Sequence, residues 1–230
     1  MRPKSERSSG RDLSARCWIP LGTALVACGP AQAQVGSGFP PDAAGADVGP
    51  PGPCDTLAPL RLHYWAAHPG DTTNQIDFIV KIDNETGAPI PSESVQVRYY
   101  FTNELAPPAA LTIFYADTCC SNKKVGFEAE VSASVVAMPP KPGADSYIEL
   151  GFSPNVGPLA NGDALQVEPG YHDVAFARLS TQTNDYSYAA TAVGTQADWD
   201  KCPGPACEAK FTSCTVALFR DGVLVWGTPP

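Results

Sequence analysis

The stretch Phe219-Arg220-Asp221-Gly222-Val223-Leu224-Val225-Trp226-Gly227 decides the fold. Asp-Gly between two apolar runs is the strongest short-range signal for a β-hairpin, because both central residues of its turn need positive φ. Upstream, the apolar residues recur with a period of two rather than 3.6. Ile76, Phe78, Val80 and Ile82 alternate with Asp77, Ile79 and Lys81. Val95, Val97, Tyr99 and Phe101 alternate with Gln96, Arg98 and Tyr100, and Ile148, Leu150 and Phe152 with Tyr147, Glu149 and Gly151. Further strands are expected at 60–65, 111–115, 127–138, 164–167, 174–179, 215–220 and 223–226. Turn clusters punctuate them: Pro69-Gly70-Asp71, Pro139 to Gly143, Asn161-Gly162-Asp163 and Pro169-Gly170. Short alternating strands at such intervals predict an all-β protein, a β-sandwich with one face of each strand turned inward.

The ends of the 230-residue chain read differently. Residues 1–33 resemble a signal peptide, with Arg2, Lys4, Arg7, Arg11 and Arg16 ahead of a short apolar run from Trp18 to Cys28. Two processing readings stand. Ala31-Gln32-Ala33 is an A-x-A site that releases a soluble protein, the reading taken. Leu25-Val26-Ala27-Cys28-Gly29 resembles a bacterial lipobox, which would keep Cys28 lipidated at a cell surface or outer membrane. Residues 34–53, almost all Gly, Pro, Ala and Asp, cannot bury enough apolar surface to fold and read as a linker. Residues 54–230 are left as the folded domain.

Charge and cysteines narrow the function. A net charge of −9 and a pI near 4.7 exclude a nucleic-acid binder, which must neutralise phosphates with Lys and Arg. A neutral ligand suits this balance. Beyond the signal lie Cys54, Cys119, Cys120, Cys202, Cys207 and Cys214, an even count that reads as disulfides in an exported chain. No C-x-x-C pair and no His at ligand spacing supports zinc. Cys202 and Cys207 flank Pro203-Gly204-Pro205-Ala206, a turn that brings them within bonding range. Cys119 and Cys120 are then expected to bridge outward, one to Cys214 and the other to Cys54. The chain has no G-x-S-x-G elbow, no H-E-x-x-H and no phosphate-cradling loop. The expectation is a protein that is not an enzyme.

A run of motifs in order carries a resemblance. It comprises Leu60 to Trp65, Asp71 to Asn74, Val97 to Thr102, Phe114 to Asp117, Ala144 to Leu150, Glu168-Pro169-Gly170, Thr181 to Ser187 and the closing hairpin. Together they resemble a family-3 carbohydrate-binding (cellulose-binding) module over nearly the whole domain. The resemblance implies a jelly-roll sandwich of about nine strands, a structural calcium, a flat cellulose face and a shallow groove on the opposite sheet. Its calcium ligands would be Thr102, Glu104, Thr181, Asn184 and Asp185, hard oxygen donors from two loops. Glu104 stands where the family usually has Asp.

The flat face departs most from the family. Asp117 and Arg178 occupy matching positions, which the family joins by a salt bridge, and Asn74 and Tyr186 match polar anchors. The aromatic line is missing, however: Thr118 stands for the expected His, Lys124 for the Tyr, and the Trp-bearing loop is shortened. The groove residues Arg98, Tyr100, Tyr147 and Glu149 are kept, and they also fit ordinary cross-strand pairing on a solvated sheet. A second departure is the insert from Asp200 to Glu208, read as a short loop. The sequence thus predicts a secreted, non-catalytic module for cellulose or a related plant polysaccharide, weak on the crystalline form. Residual binding would fall to Trp65, Tyr100 or Tyr147. Its partners would be a polysaccharide and a glycoside hydrolase, with a membrane reached only through a lipid anchor. The alternative is an accessory module or surface lipoprotein scaffold that acts through a protein partner.

Overall fold

The computed structural model describes residue 54 and residues 58–105, 107–119, 124–189, 194–200 and 210–230. All belong to one unit, residues 47–230. The signal, the linker, Cys28, Cys120, Cys202 and Cys207 lie outside the described residues.

Eleven strands are described: β1 (Leu60–Ala66), β2 (Thr72–Thr73), β3 (Gln75–Asn84), β4 (Val95–Phe101), β5 (Ala109–Cys119), β6 (Val131–Lys141), β7 (Ala144–Phe152), β8 (Ala164–Asp173), β9 (Ser180–Thr181), β10 (Ala217–Arg220) and β11 (Val223–Trp226). Nine of them build two antiparallel sheets, one in the order β1-β3-β8-β5 and the other β11-β10-β4-β7-β6, while β2 and β9 pair separately. The alternation predicts a β-sandwich, and the family resemblance implies a jelly roll of about nine strands; both are borne out. The inward residues of both sheets form one core that includes Leu62, Tyr64, Phe78, Val80, Tyr99, Ile148, Leu150 and Val167. In the closing hairpin Asp221 (φ 51°) and Gly222 (φ 76°) both take the positive φ that its turn demands.

Three local readings are corrected. Residues 174–179 form no strand. The carboxylate of Asp173 accepts the backbone N–H groups of Ala175 (2.7 Å), Ala177 (3.2 Å) and Arg178 (2.6 Å), and so winds the segment into a loop. Pro139-Pro140 does not end its strand. β6 runs to Lys141 because it is an edge strand, where one proline can face away from the ladder, and because its register with β7 breaks between Ala137 and Lys141, where the other N–H would have been used. Cys54 and Cys214 are bonded to each other, Cα atoms 5.5 Å apart, rather than to Cys119 and Cys120. That bridge ties the approach to β1 to the approach to β10 across 160 residues of chain. Cys119 is disulfide-bonded as well, to a partner outside the described residues.

Gly227 closes β11 at φ 81°, and a Cβ there would collide with the carbonyl of Val216. Gly227→Ala therefore has no cheap relaxation. We expect a loss of about 2 kcal/mol or more in urea unfolding, whereas Gly87→Ala, also at positive φ but in open space, costs about 1 kcal/mol.

Candidate functional site

The outward residues of the β1-β3-β8-β5 sheet stand in rows set by strand register. One row is His63–Lys81–Gln166–Asp117. Trp65–Ile79 and Glu168–Tyr115 belong to the next, then Asp77–Gly170–Thr112, then Gln75–His172–Ala110. These rows differ sharply in exposure.

The first two rows are roofed by the chain itself. A one-turn helix, α1 (Gln196–Trp199), and residues 210–212 lie over them, with Thr212 bridging to His63 at the edge of β1. Trp199 is 0% exposed and packs with Ile79, Phe211 and Trp65 in an apolar cluster separate from the main core. Its indole N–H donates to Oε1 of Gln166 at 2.8 Å, and its carbonyl accepts from Nζ of Lys81 at 3.1 Å. The Lys81 ammonium also lies 4.8 Å from the Trp199 ring. Burial lowers the pKa of Lys81, against the pull of the carboxylates of Asp83, Asp117 and Asp200. Beneath this strap His63 and Asp83 are paired at 2.6 Å, both buried.

The far rows are open. The register of β5 shifts between Ile113 and Tyr115, so Phe114 is an extra residue in the strand. Such a bulge turns two neighbours to one face. Phe114, 43% exposed, lies across Gly170, and Tyr115 donates its hydroxyl to Asp117. Phe176, also 43% exposed, stacks on His172 with centroids 3.7 Å apart and planes 15° apart. Between them Asp77 is buried, with Nε2 of Gln75 donating to its Oδ2 at 2.7 Å and Nε2 of His68 3.4 Å from the same oxygen. Burial first, then the Glu168 carboxylate, pushes Asp77 up to about 6.

The expected face residues divide. Asp117 lies opposite Gln166, near the strap. Arg178 is anchored through its N–H to Asp173, which pairs with Ala109 at the other end of β5. Ala109 and Asp117 are roughly 25 Å apart along that strand, so the expected Asp117–Arg178 salt bridge has no geometry to form in. Asn74 donates to the carbonyl of Phe176 at 3.3 Å, so it holds the Phe176 loop. Tyr186 belongs to the other sheet: its ring meets Tyr100 edge-on at 6.2 Å, and its hydroxyl donates to the carbonyl of Thr228. Trp65 lies under Trp199 and Phe211.

The groove residues come together as expected. Arg98 faces Glu149 and Tyr100 faces Tyr147 across β4 and β7. Nε of Arg98 donates to Glu149 at 2.8 Å, and the guanidinium lies between Tyr147 (4.8 Å) and Phe219 (4.5 Å). Phe219 was missed in the sequence because its signal went to the hairpin. Both rings spend one face on Arg98, and Tyr100 is buried, so this sheet satisfies itself.

The five expected calcium residues also converge. The N–H of Thr102 donates to Oδ1 of Asp185 (2.8 Å), that of Thr181 to Oε2 of Glu104 (2.7 Å), and Nδ2 of Asn184 to Oε1 of Glu104 (2.9 Å). Asp145, which the sequence reading missed, joins them by accepting the N–H of Asn103. Oδ2 of Asp185 is buried without a hydrogen-bond partner. Burial, then the carboxylates of Glu104 and Asp145, push Asp185 up to about 7. An orphaned, partly protonated carboxylate of this kind fits a hard cation. Among the described residues no three His, Cys, Asp or Glu side chains lie close enough to hold a metal alone. A cation here would therefore need hydroxyl, amide and carbonyl oxygens too, which the Thr and Asn residues supply.

A profile of the cellulose binding domain family matches residues 62–227. The chain belongs to the family-3 cellulose-binding domains. It is 27% identical over 172 residues to a xyloglucanase of Paenibacillus sp, covering 74% of this chain and 14% of that protein. It is 30% identical to endoglucanase A of Paenibacillus lautus, covering 69% and 19%. Cellulosomal-scaffolding protein A of Acetivibrio thermocellus is 27% identical, covering 74% and 8%. The chain thus spans less than a fifth of each of these relatives. Among solved structures it is similar to the CBM3a-L domain of the scaffoldin of Clostridium thermocellum, with a TM-score of 0.62, 26% identity, and 75% and 92% of the two chains covered. The cellulose-binding domain described here is a non-catalytic binding module.

In this cellulose-binding domain Trp199 fastens the strap to the sheet. Trp199→Ala should lower unfolding stability by about 3–5 kcal/mol, the usual loss for a buried Trp. A loss under about 1 kcal/mol in urea melts would mean that the strap is not packed on the sheet.

Proposed function

We propose that this domain acts outside the cell and binds single, accessible chains of cellulose or a related plant β-glucan, holding crystalline cellulose weakly. One observation carries the reading: Trp199, fully buried, sits on the Gln166 row of the sheet. A crystal face is a rigid plane and needs an unbroken flat partner, whereas a single chain needs only a short open patch. The aromatic contact that supplies most of such binding energy is limited to the open rows. The signal-like residues 1–33 and the Cys54–Cys214 bridge support export. Relatives named as glucanases and as a scaffolding protein support service beside a glycoside hydrolase. Retention on the surface through a lipidated Cys28, as a scaffold for a protein partner, is the second reading. Incorporation of a fatty-acid probe at Cys28 would favour it.

Depletion isotherms test the main reading. The parent should leave most protein in solution over microcrystalline cellulose and bind amorphous cellulose measurably. Tight retention on the crystalline form, abolished by Arg178→Ala, would overturn it.

We further propose that calcium binds through Thr102, Glu104, Thr181, Asn184 and Asp185, tying two loops together. The ion would neutralise the charge of the buried Asp185 carboxylate and of the exposed Glu104 beside it. The sign with pH is defined. A carboxylate raised from about 4 to about 7 contributes stability that is full below pH 4 and lost as pH rises through 7. In chelator, the melting temperature should therefore fall between pH 4 and pH 8. Calcium should flatten that fall, adding about 2.7 kcal/mol at a hundredfold excess over its Kd. Asp77 titrates with the same sign in both conditions, so the difference between them reports Asp185. Asp185→Asn should abolish the difference. Identical curves with and without calcium would leave the two loops as a hydrogen-bonded turn only.

A further inference from the structure

Three features of the open rows are independent of one another, and each turns an aromatic ring outward. The first is the bulge of β5, which places Phe114 and Tyr115 on the same outer face where plain alternation would hide one of them. The second is Gly170. A Cβ at that position would collide with the Phe114 ring, so only glycine lets the ring lie down on the sheet. The third is Phe176, held at φ 53°. A bulky residue in the left-handed region is an outlier that persists only when its surroundings force it. Here the forcing groups are visible. Its N–H donates to the carbonyl of Asp173 at 3.1 Å, the Asp173 carboxylate gathers the next N–H groups, and Asn74 grips the Phe176 carbonyl. Burial would raise the Asp173 carboxyl, but these N–H bonds outweigh it and hold it below the usual carboxylate range. It is therefore ionised at neutral pH, as the clamp requires.

We infer that Phe114 and Phe176 form a two-ring stacking platform for one β-linked glucan chain. The inference rests on the glucan-binding reading above. The rings rest on Gly170 and His172, which point the same way two residues apart on β8, roughly 7 Å along the strand. Each offers one free face, the other lying on the sheet. Stacked rings of this kind suit the apolar faces of pyranose sugars, and the polar groups beside them suit the hydroxyls. Gln75 and Glu168 flank the rings from the same rows and are half-buried, hence partly open to solvent. From Glu168 to His172 the footprint is about 13 Å, and Trp199 on Gln166 closes it at one end. The site thus takes a few sugars of one chain rather than a lattice. Asn74 and Asp173 are positioning residues for Phe176. The residues of this platform differ from the Asp117 and Arg178 pair that the sequence alone suggested.

Calorimetric titration with cellohexaose, beside depletion on amorphous cellulose, tests the platform. The variants are Phe114→Ala, Phe176→Gly, Tyr147→Ala and the exposed, remote Leu224→Ala. Phe176→Gly suits the left-handed backbone, so it removes the ring while relieving strain, and its melting temperature should not fall. Phe114→Ala and Phe176→Gly should each weaken cellohexaose at least tenfold, and Leu224→Ala should leave it within twofold. Unchanged binding by both ring variants would overturn the platform and leave the glucan reading standing. Loss in Tyr147→Ala alone would move the ligand to the other sheet and overturn the platform as well. No binding of either glucan by the parent would overturn both.

Discussion

Phe78 and Tyr99 stack between the two sheets with ring centroids 4.3 Å apart and planes 14° apart, and Tyr64 lies 6.0 Å from each. This contact joins the sheets at mid-core, and it fixes the register of every strand around it. Side chains alternate with a period of two, so a one-residue slip of β3 would exchange Phe78 for Asp77 or Ile79. The stacked rings add only about 0.5–1.5 kcal/mol beyond the area they bury. The slipped arrangement would drive Asp77, Lys81 and Asp83 into an apolar core at several kcal/mol each. The second quantity decides. The charged rows are therefore on the outside because the aromatic residues are inside, and both outer faces inherit their layout from that.

The two outer faces treat the same problem in opposite ways. On the five-stranded sheet, Arg98 lies between Tyr147 and Phe219 and is tied to Glu149, so charge and rings satisfy one another. On the four-stranded sheet, polar rows are half covered by a piece of chain from far along the sequence. Lys81 is the tie: its amine reaches the Trp199 carbonyl and lies 4.8 Å from the indole ring. What remains uncovered is narrow, and its aromatic residues are placed by backbone irregularities rather than by regular strand.

The alternation and the hairpin were legible in the sequence because each is a local pattern, while the convergence of the Thr102 and Asp185 loops was implied only by the family resemblance. The rest required contacts that no local pattern announces. Residues 174–179 alternate like a strand, yet one carboxylate two residues before Ala175 offers their N–H groups a nearer acceptor than any neighbouring strand. Phe114 and Tyr115 break the period, and nothing in the letters says which of the two is the extra residue. Trp199 meets Gln166 and Lys81 across 33 and 118 residues, so its destination is set by the tertiary fold. The insert beyond Trp199 was read as a short loop, and its return at residues 210–212 as the edge partner of His63 was not foreseen. The pairing of Cys54 with Cys214 was missed for the same reason. The sequence holds the count of thiols, but only the sandwich brings the start of β1 beside the approach to β10.

Pro139 and Pro140 at the tip of β6 have a consequence for molecules crowded side by side. An edge strand is a template on which a second chain can lay its own backbone, the first step towards fibrils. N–H groups alternate sides along a strand, so one of these two prolines removes a donor from the open edge. A strand arriving along β6 would leave a carbonyl oxygen of its own unmatched there and pay for drying it with nothing in return. The hairpin tip thus hinders growth of the sheet by strands added along this edge. It matters wherever copies of the domain are held close together, since self-association would compete with binding.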